Sequence, residues 1–101
     1  HAILRFTRKE TGILIRNVTG HNFMQYHRHN VHNWIDPECR LCQQADEESN
    51  HVIRDCPAIV ALRLKYFGES YLEKDWAWEP AHLLAFLQDP EIAILEADPE
   101  E

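Results

Sequence analysis

A chain of 101 residues with 45% hydrophobic and 27% charged side chains is long enough for one domain and reads as neither disordered nor fibrous. Its net charge of −7 disfavours simple non-specific binding to a polyanion, because that affinity comes from Lys and Arg displacing counterions. No apolar run approaches the roughly 20 residues of a membrane helix, and the N-terminal residues lack a signal peptide's apolar stretch. The expectation is a soluble intracellular protein, nuclear or cytoplasmic, with no membrane partner. A start at His1 instead of Met is expected of a processed protein or a fragment.

The charge is unevenly distributed. Residues 1–35 hold five basic side chains (Arg5, Arg8, Lys9, Arg16 and Arg28) against Glu10 alone, net +4. Residues 36–101 hold five basic against sixteen acidic, net −11. Phosphate contacts, if any, are expected in the N-terminal third.

Thr7-Arg8-Lys9-Glu10 fits the reciprocal capping box and predicts a helix from about Arg8, with Ile13, Leu14 and Val18 on its apolar face. Thr19-Gly20 should end it, because glycine accepts the left-handed backbone of a helix C-terminus. A second helix is expected over Asn22 to Val31. Its stripe of Phe23, Tyr26, His27, Asn30, Val31 and Trp34 recurs at three- and four-residue steps and should be buried.

From Asp36 to Cys56 periodicity is lost, and Pro37, the Cys pair and Asp46-Glu47-Glu48-Ser49-Asn50 read as turns. Pro57 suits the first turn of a third helix running to Gly68, with Ile59, Leu62 and Tyr66 inward. Pro80 and Pro90 open two further short helices that bury Leu83, Leu84 and Leu87, then Ile92 and Leu95. Trp76 and Trp78, spaced by two, are expected to pack over the core, and the end from Asp98 onward to fray. No repeat, low-complexity tract or strand is evident. The predicted fold is a small, mostly α-helical domain with a Cys3His zinc-clamped loop. Its segments are a basic helical part (1–35), the zinc loop and following helix (36–68) and an acidic helical part (69–101).

The chemistry concentrates at Cys39, Cys42, His51 and Cys56, spaced C-x2-C-x8-H-x4-C. An odd cysteine count argues against a disulfide framework and fits a reducing compartment. A Cys-x2-Cys turn presents two sulfurs to one side of a tight loop, and a His and a third Cys complete a tetrahedron. Thiolate and imidazole are the donors zinc prefers, and four protein ligands leave no position open for substrate. The site is therefore expected to be structural, with Zn²⁺ as its cofactor. The competing readings are three buried thiols with a surface histidine, or a Cys39/Cys42 redox pair, which would normally open a helix after a strand.

His27, His29 and His32 form an H-x-H-x2-H cluster. A helix would turn His27 inward and His29 away, so packing and surface roles are expected ahead of a second metal site. A nuclease centre built on them would need a carboxylate spaced to share the metal, and none is. His21 is expected to cap a carbonyl or to orient a zinc ligand.

Together, Thr19-Gly20-His21-Asn22, His27 and His29, Cys39-Arg40-Leu41-Cys42, Asp46-Glu47, His51 and Cys56-Pro57 resemble the zinc-binding CCHC-type tail of non-LTR retrotransposon polyproteins. In that family the tail follows the reverse transcriptase and ribonuclease H domains. The resemblance covers about residues 3–68 and is looser beyond. It implies that Cys39, Cys42, His51 and Cys56 are the zinc ligands and that Thr19, Gly20 and His21 are a structural signature beside them. Glu48 departs from the family's Thr or Ser, which removes a hydroxyl cap before His51. The spacing is also four residues longer in the middle than the retroviral nucleocapsid knuckle, so base reading by a tight knuckle is not expected.

Polymerase and ribonuclease H chemistry needs several carboxylates around two Mg²⁺ ions, and the N-terminal third has only Glu10. The expected function is thus a non-catalytic accessory domain of a retroelement-type reverse transcriptase polyprotein that helps bind RNA or DNA. Arg5, Arg8, Lys9, Arg16 and Arg28 would hold phosphates, and other domains of the parent polyprotein would be partners. The alternative is a protein-interaction module using the acidic C-terminal surface with Trp76, Trp78 and Phe86.

Overall fold

The computed structural model describes residues 6–20, 22–73 and 79–96. Arg5, His21, Trp76 and Trp78 lie outside the described residues, so the expectations attached to them are not addressed by the fold. Helix α1 (Arg8–Thr19) begins at the expected capping box. The Glu10 amide donates to Thr7 Oγ1 (3.1 Å) and the Thr7 amide donates to Glu10 Oε1 (2.8 Å). It stops at Gly20, whose φ of 79° is the left-handed conformation that disfavours a Cβ. Leu14 is buried as expected, but Val18 is 71% exposed. Asn17 takes the inward position in its place, because its amide is bonded at both ends.

Helix α2 (Gln25–Val31) starts three residues later than its apolar pattern suggests. Asn22 Oδ1 accepts the Met24 amide (3.0 Å), a local bond that competes with helix formation. The burial expected for the α2 stripe also fails. No residue of α2 is buried, and Tyr26, Val31 and Trp34 are 38%, 60% and 78% exposed. Met24, just ahead of the helix, inserts into the core instead.

The segment expected to be all turn contains helix α3 (Ser49–Arg54), with Val52 and Ile53 buried. Ahead of it, residues 36–48 are irregular, held by an isolated bridge between Glu38 and Asp46. Pro57–Ile59 forms a 3₁₀ turn that leads into α4 (Val60–Phe67), ended by Gly68 at φ 75°. Ile59 is buried, and Leu62 and Tyr66 pack on the core as expected. Pro80 and Pro90 open α5 (Pro80–Gln88) and α6 (Pro90–Ala93), and a 3₁₀ turn, Ile94–Glu96, follows. Asp89 caps α6 by accepting the Glu91 amide (3.0 Å) and also accepts the Tyr66 hydroxyl (2.7 Å).

Helix α5 packs against both α1 and α4, so the basic and acidic ends of the chain share one core. Leu83, Leu84, Phe86, Leu87, Ile92 and Leu95 fill it. Phe86 meets Tyr66 edge-on (85°, centroids 6.2 Å apart) and Phe67 at 5.2 Å. The same cluster includes Met24, Val52, Ile53, Cys39 and Cys56, which seats the cysteine-bearing loop directly on the helical core. Among the described residues there is no strand, and no helix is long and apolar enough to cross a membrane.

Candidate metal centre

Three local structures converge on one point. The irregular loop supplies Cys39 and Cys42, α3 supplies His51, and the turn between α3 and the Pro57–Ile59 segment supplies Cys56. Their four donor atoms all lie within 4.8 Å of one another, close enough to hold one metal ion. Cys39 Sγ is 3.9 Å from Cys56 Sγ, and Cys42 Sγ is 3.3 Å from His51 Nε2. A tetrahedron with metal–sulfur bonds of about 2.3 Å and metal–nitrogen bonds of about 2.0 Å has edges of about 3.8 Å and 3.5 Å. The Cys39–Cys56 and Cys42–His51 separations lie close to those edges, whereas a disulfide would need sulfurs about 2 Å apart.

The backbone around the cysteines is shaped for this. The Gln43 amide donates to the Cys39 carbonyl (2.9 Å), and Gln43 takes a left-handed φ of 56°, which folds the chain back after Cys42. The Gln44 amide then points at Cys42 Sγ (3.4 Å). On the other side, the Cys56 amide donates to the His51 carbonyl (2.8 Å), tying two candidate ligands by one bond.

His51 is oriented by its neighbour one turn on. Its Nδ1 lies 2.8 Å from Asp55 Oδ1, and a carboxylate can only accept, so the proton sits on Nδ1. With the ring neutral, Nε2 presents its lone pair toward the sulfurs, the tautomer a metal requires.

Burial pushes the Cys56 thiol up to about 12, helped by the neighbouring Cys39 and Cys42, and burial likewise raises Cys39. At Cys42 burial is the largest single influence and raises the thiol, but the Gln44 amide, His51, Cys39 and Cys56 together outweigh it and hold the thiol below the ordinary range. Two of the three thiols thus resist ionisation unless a cation offsets the negative charge.

Two buried charges that the sequence did not single out hold this geometry. Glu47, fully buried, accepts the Arg40 amide (2.9 Å), Arg40 Nε (3.0 Å), Arg40 Nη2 (2.7 Å) and the Gln25 amide (3.0 Å). Arg40 lies inside the Cys39–Cys42 turn, so the loop is bolted to the start of α2. Arg63, also fully buried, donates from Nε to the Ser70 carbonyl (2.9 Å) and from Nη1 to the Val52 carbonyl (3.4 Å). Its Nη2 donates to the Cys56 carbonyl. A third polar knot joins α1 to α3: Asn22 Nδ2 donates to Ser49 Oγ (2.7 Å), which donates to Asn17 Oδ1 (3.0 Å). Ser49 therefore spends its hydroxyl on Asn17, and Glu48 makes no side-chain cap on α3.

The other candidate residues lie elsewhere. Arg8 and Lys9 are exposed at the start of α1; Arg16 faces Glu96 at 3.9 Å, and Arg28 donates to Gln25 Oε1 (2.7 Å). His27 is half-buried beside a cleft, His29 Nδ1 bonds the Ile35 carbonyl (2.7 Å), and His32 stacks on Trp34. These three histidines form no metal-capable cluster among the described residues. Compared with protein-family models, curated proteins and solved structures, the chain shows no significant match.

Proposed function

We propose that the chain is a zinc-stabilised, non-catalytic accessory domain of a retroelement-type polyprotein that helps its catalytic domains hold RNA or DNA. The observation that carries the zinc half is the convergence of the Cys39, Cys42, His51 and Cys56 donors, all within 4.8 Å of one another. Three sulfurs and an imidazole are a donor set that selects zinc over magnesium or calcium, which take oxygen. Four protein donors leave no open coordination position, so the ion would fold the loop and not perform chemistry. Binding free energy at such sites, on the order of 10–16 kcal/mol in zinc-finger peptides, is expressed as folding.

The nucleic-acid half rests on the motif string from Thr19 to Pro57 and on the net +4 charge of residues 1–35. Exposed Arg8 and Lys9 are the phosphate contacts this reading favours most. Fluorescence anisotropy of a labelled RNA at 50–300 mM salt, an illustrative window for counterion release, tests it. Affinity that falls steeply with salt, and less steeply after charge removal at Arg8 and Lys9, supports the reading. No binding at the lowest salt rejects the nucleic-acid half and leaves the zinc half standing. A second reading, a protein-interaction module, is favoured by exposed Leu64 on α4 and by exposed Tyr71 and Ile94 in residues 69–101; Phe86, expected on that surface, is instead fully buried in the core.

A further inference from the structure

Helix α2 is patterned like a core helix and left open like an interface. Tyr26 and Val31 of α2, and Trp34 three residues past its end, are exposed, and no described residue covers them. Trp34 is the most exposed of the large apolar side chains described, and its ring lies against His32 with centroids 4.7 Å apart and planes tilted by 32°. The result is a pre-positioned aromatic shelf with its outer surface in solvent.

At its other end, α2 borders a cleft of about 340 Å³ between α1 and α3, walled on the α2 side by Tyr26, His27 and Asn30 and across from them by Asn50 and Glu48. Asn17, Asn22 and Ser49 form its floor, their polar groups taken up by one another and by Ile13, Met24 and Glu96. The described walls contain no Lys or Arg, and Glu48 would repel a phosphate. A flat neutral group with donors and acceptors at its edge suits these walls: amides at Asn30 and Asn50, a carboxylate at Glu48 to accept an amine, and the Tyr26 ring at the rim.

Charge points the same way. The chain as a whole is at −7, but residues 22–35 contain Arg28, His27, His29 and His32 and no carboxylate. Stacking on aromatic rings beside a locally basic, acid-free segment is how proteins hold unpaired bases whose phosphates stay outside.

We infer that α2 and the adjoining cleft bind a single-stranded nucleic acid, one base entering the cleft beside Tyr26 and another stacking on the Trp34–His32 shelf. This rests on the nucleic-acid reading above and adds the surface and the strand form. A duplex keeps its bases stacked on each other and cannot reach either position.

The test compares a fluorescein-labelled single-stranded RNA with a hairpin duplex of the same length, using the zinc-loaded full chain, wild type against Trp34→Ala, Trp34→Phe and Tyr26→Ala. Trp34 and Tyr26 are exposed, so metal content and helical circular dichroism should be unchanged in all three. The expected result is a loss of about tenfold in single-strand affinity for each alanine variant, substantial recovery in Trp34→Phe, an unchanged salt slope and little effect on the duplex. Single-strand affinity unaltered by both alanine variants, or an equal loss on the duplex, overturns the assignment while leaving nucleic-acid binding intact. No binding of either strand form overturns it together with the nucleic-acid reading. Unaltered RNA binding, with loss of a crosslink to an adjoining domain of the parent chain in the Trp34 variant, overturns it in favour of a protein partner.

Discussion

Arg40 holds Glu47 through Nε and Nη2 of its guanidinium and through its own backbone amide, at 2.7 to 3.0 Å, and Glu47 is fully buried. The pair links the turn between two candidate metal ligands to the entrance of α2, because Glu47 also accepts the Gln25 amide and its carbonyl accepts the Tyr26 amide (2.9 Å). Arg40 further donates to the Leu95 carbonyl (3.1 Å), carrying the link on to the C-terminal turn.

Arg40 is 41% exposed and can turn to water, so Glu47→Ala chiefly strips the Gln25 and Arg40 amides of their acceptor and should cost about 2–3 kcal/mol of stability. Arg40→Lys keeps the charge but loses the fork and should cost less, about 1–2 kcal/mol. Urea denaturation of the zinc-loaded proteins measures both. Equal stability of Glu47→Ala and wild type would show that the carboxylate is not buried against Arg40.

Asp55 touches no sulfur, yet it sets the tautomer of His51. Asp55→Ala should weaken zinc binding 10- to 100-fold with the loaded fold preserved. Competition against a chromogenic chelator reads this directly, and Asp55→Asn, which keeps an acceptor oxygen, should fall between the two.

Arg63→Met removes the donors that satisfy the carbonyls of Cys56, Val52 and Ser70 and leaves the first two buried without a partner. Each orphaned acceptor costs on the order of 1–3 kcal/mol, enough together to unfold a domain of this size in the absence of metal. Melting of the metal-free and metal-loaded variant, side by side, checks it.

Glu96 gives a pH dependence. Its side chain is nearly buried, and burial raises its carboxyl above the ordinary glutamate range, partly opposed by the Asn17 amide and Arg16. A raised folded value means that stability is full where the free carboxyl is protonated and is lost as pH rises through the raised value. Glu96→Gln keeps an acceptor for Asn17 and removes the buried charge, so it should raise the melting temperature at pH 7. The advantage should shrink toward pH 4, where wild type is itself protonated. The ion pair it gives up, Arg16 to Glu96 at 3.9 Å with Arg16 well exposed, contributes little. A melting difference independent of pH would contradict this assignment.

What the sequence disclosed was local chemistry. Thr7, Glu10, Gly20, Pro57, Gly68, Pro80 and Pro90 mark helix ends through their own backbone and side-chain preferences, and the structure places ends at each. The candidate ligand set was legible because a two-residue spacer between cysteines brings two sulfurs to one side of a turn, and the structure places all four donors near one another. Burial of polar residues was not legible, since Glu47 and Arg63 are indistinguishable from surface charges until partners distant in space are known. Helix α3, six residues long, is too short for a periodic signal, and its evidence reduces to the adjacent Val52 and Ile53. The α2 stripe was read correctly as a pattern and wrongly as core. Periodicity reports that a face is apolar, and only the fold reports whether this chain covers it.

The most direct test of the account is metal content per chain by elemental analysis, on protein purified without a metal-affinity step, for wild type and Cys56→Ser. One equivalent of zinc in wild type, lost together with helical circular dichroism in Cys56→Ser, is the predicted result. A stably folded wild-type chain with no metal, or a Cys56→Ser variant that keeps its fold without zinc, would contradict a zinc-dependent fold and reduce Cys39, Cys42 and Cys56 to ordinary thiols.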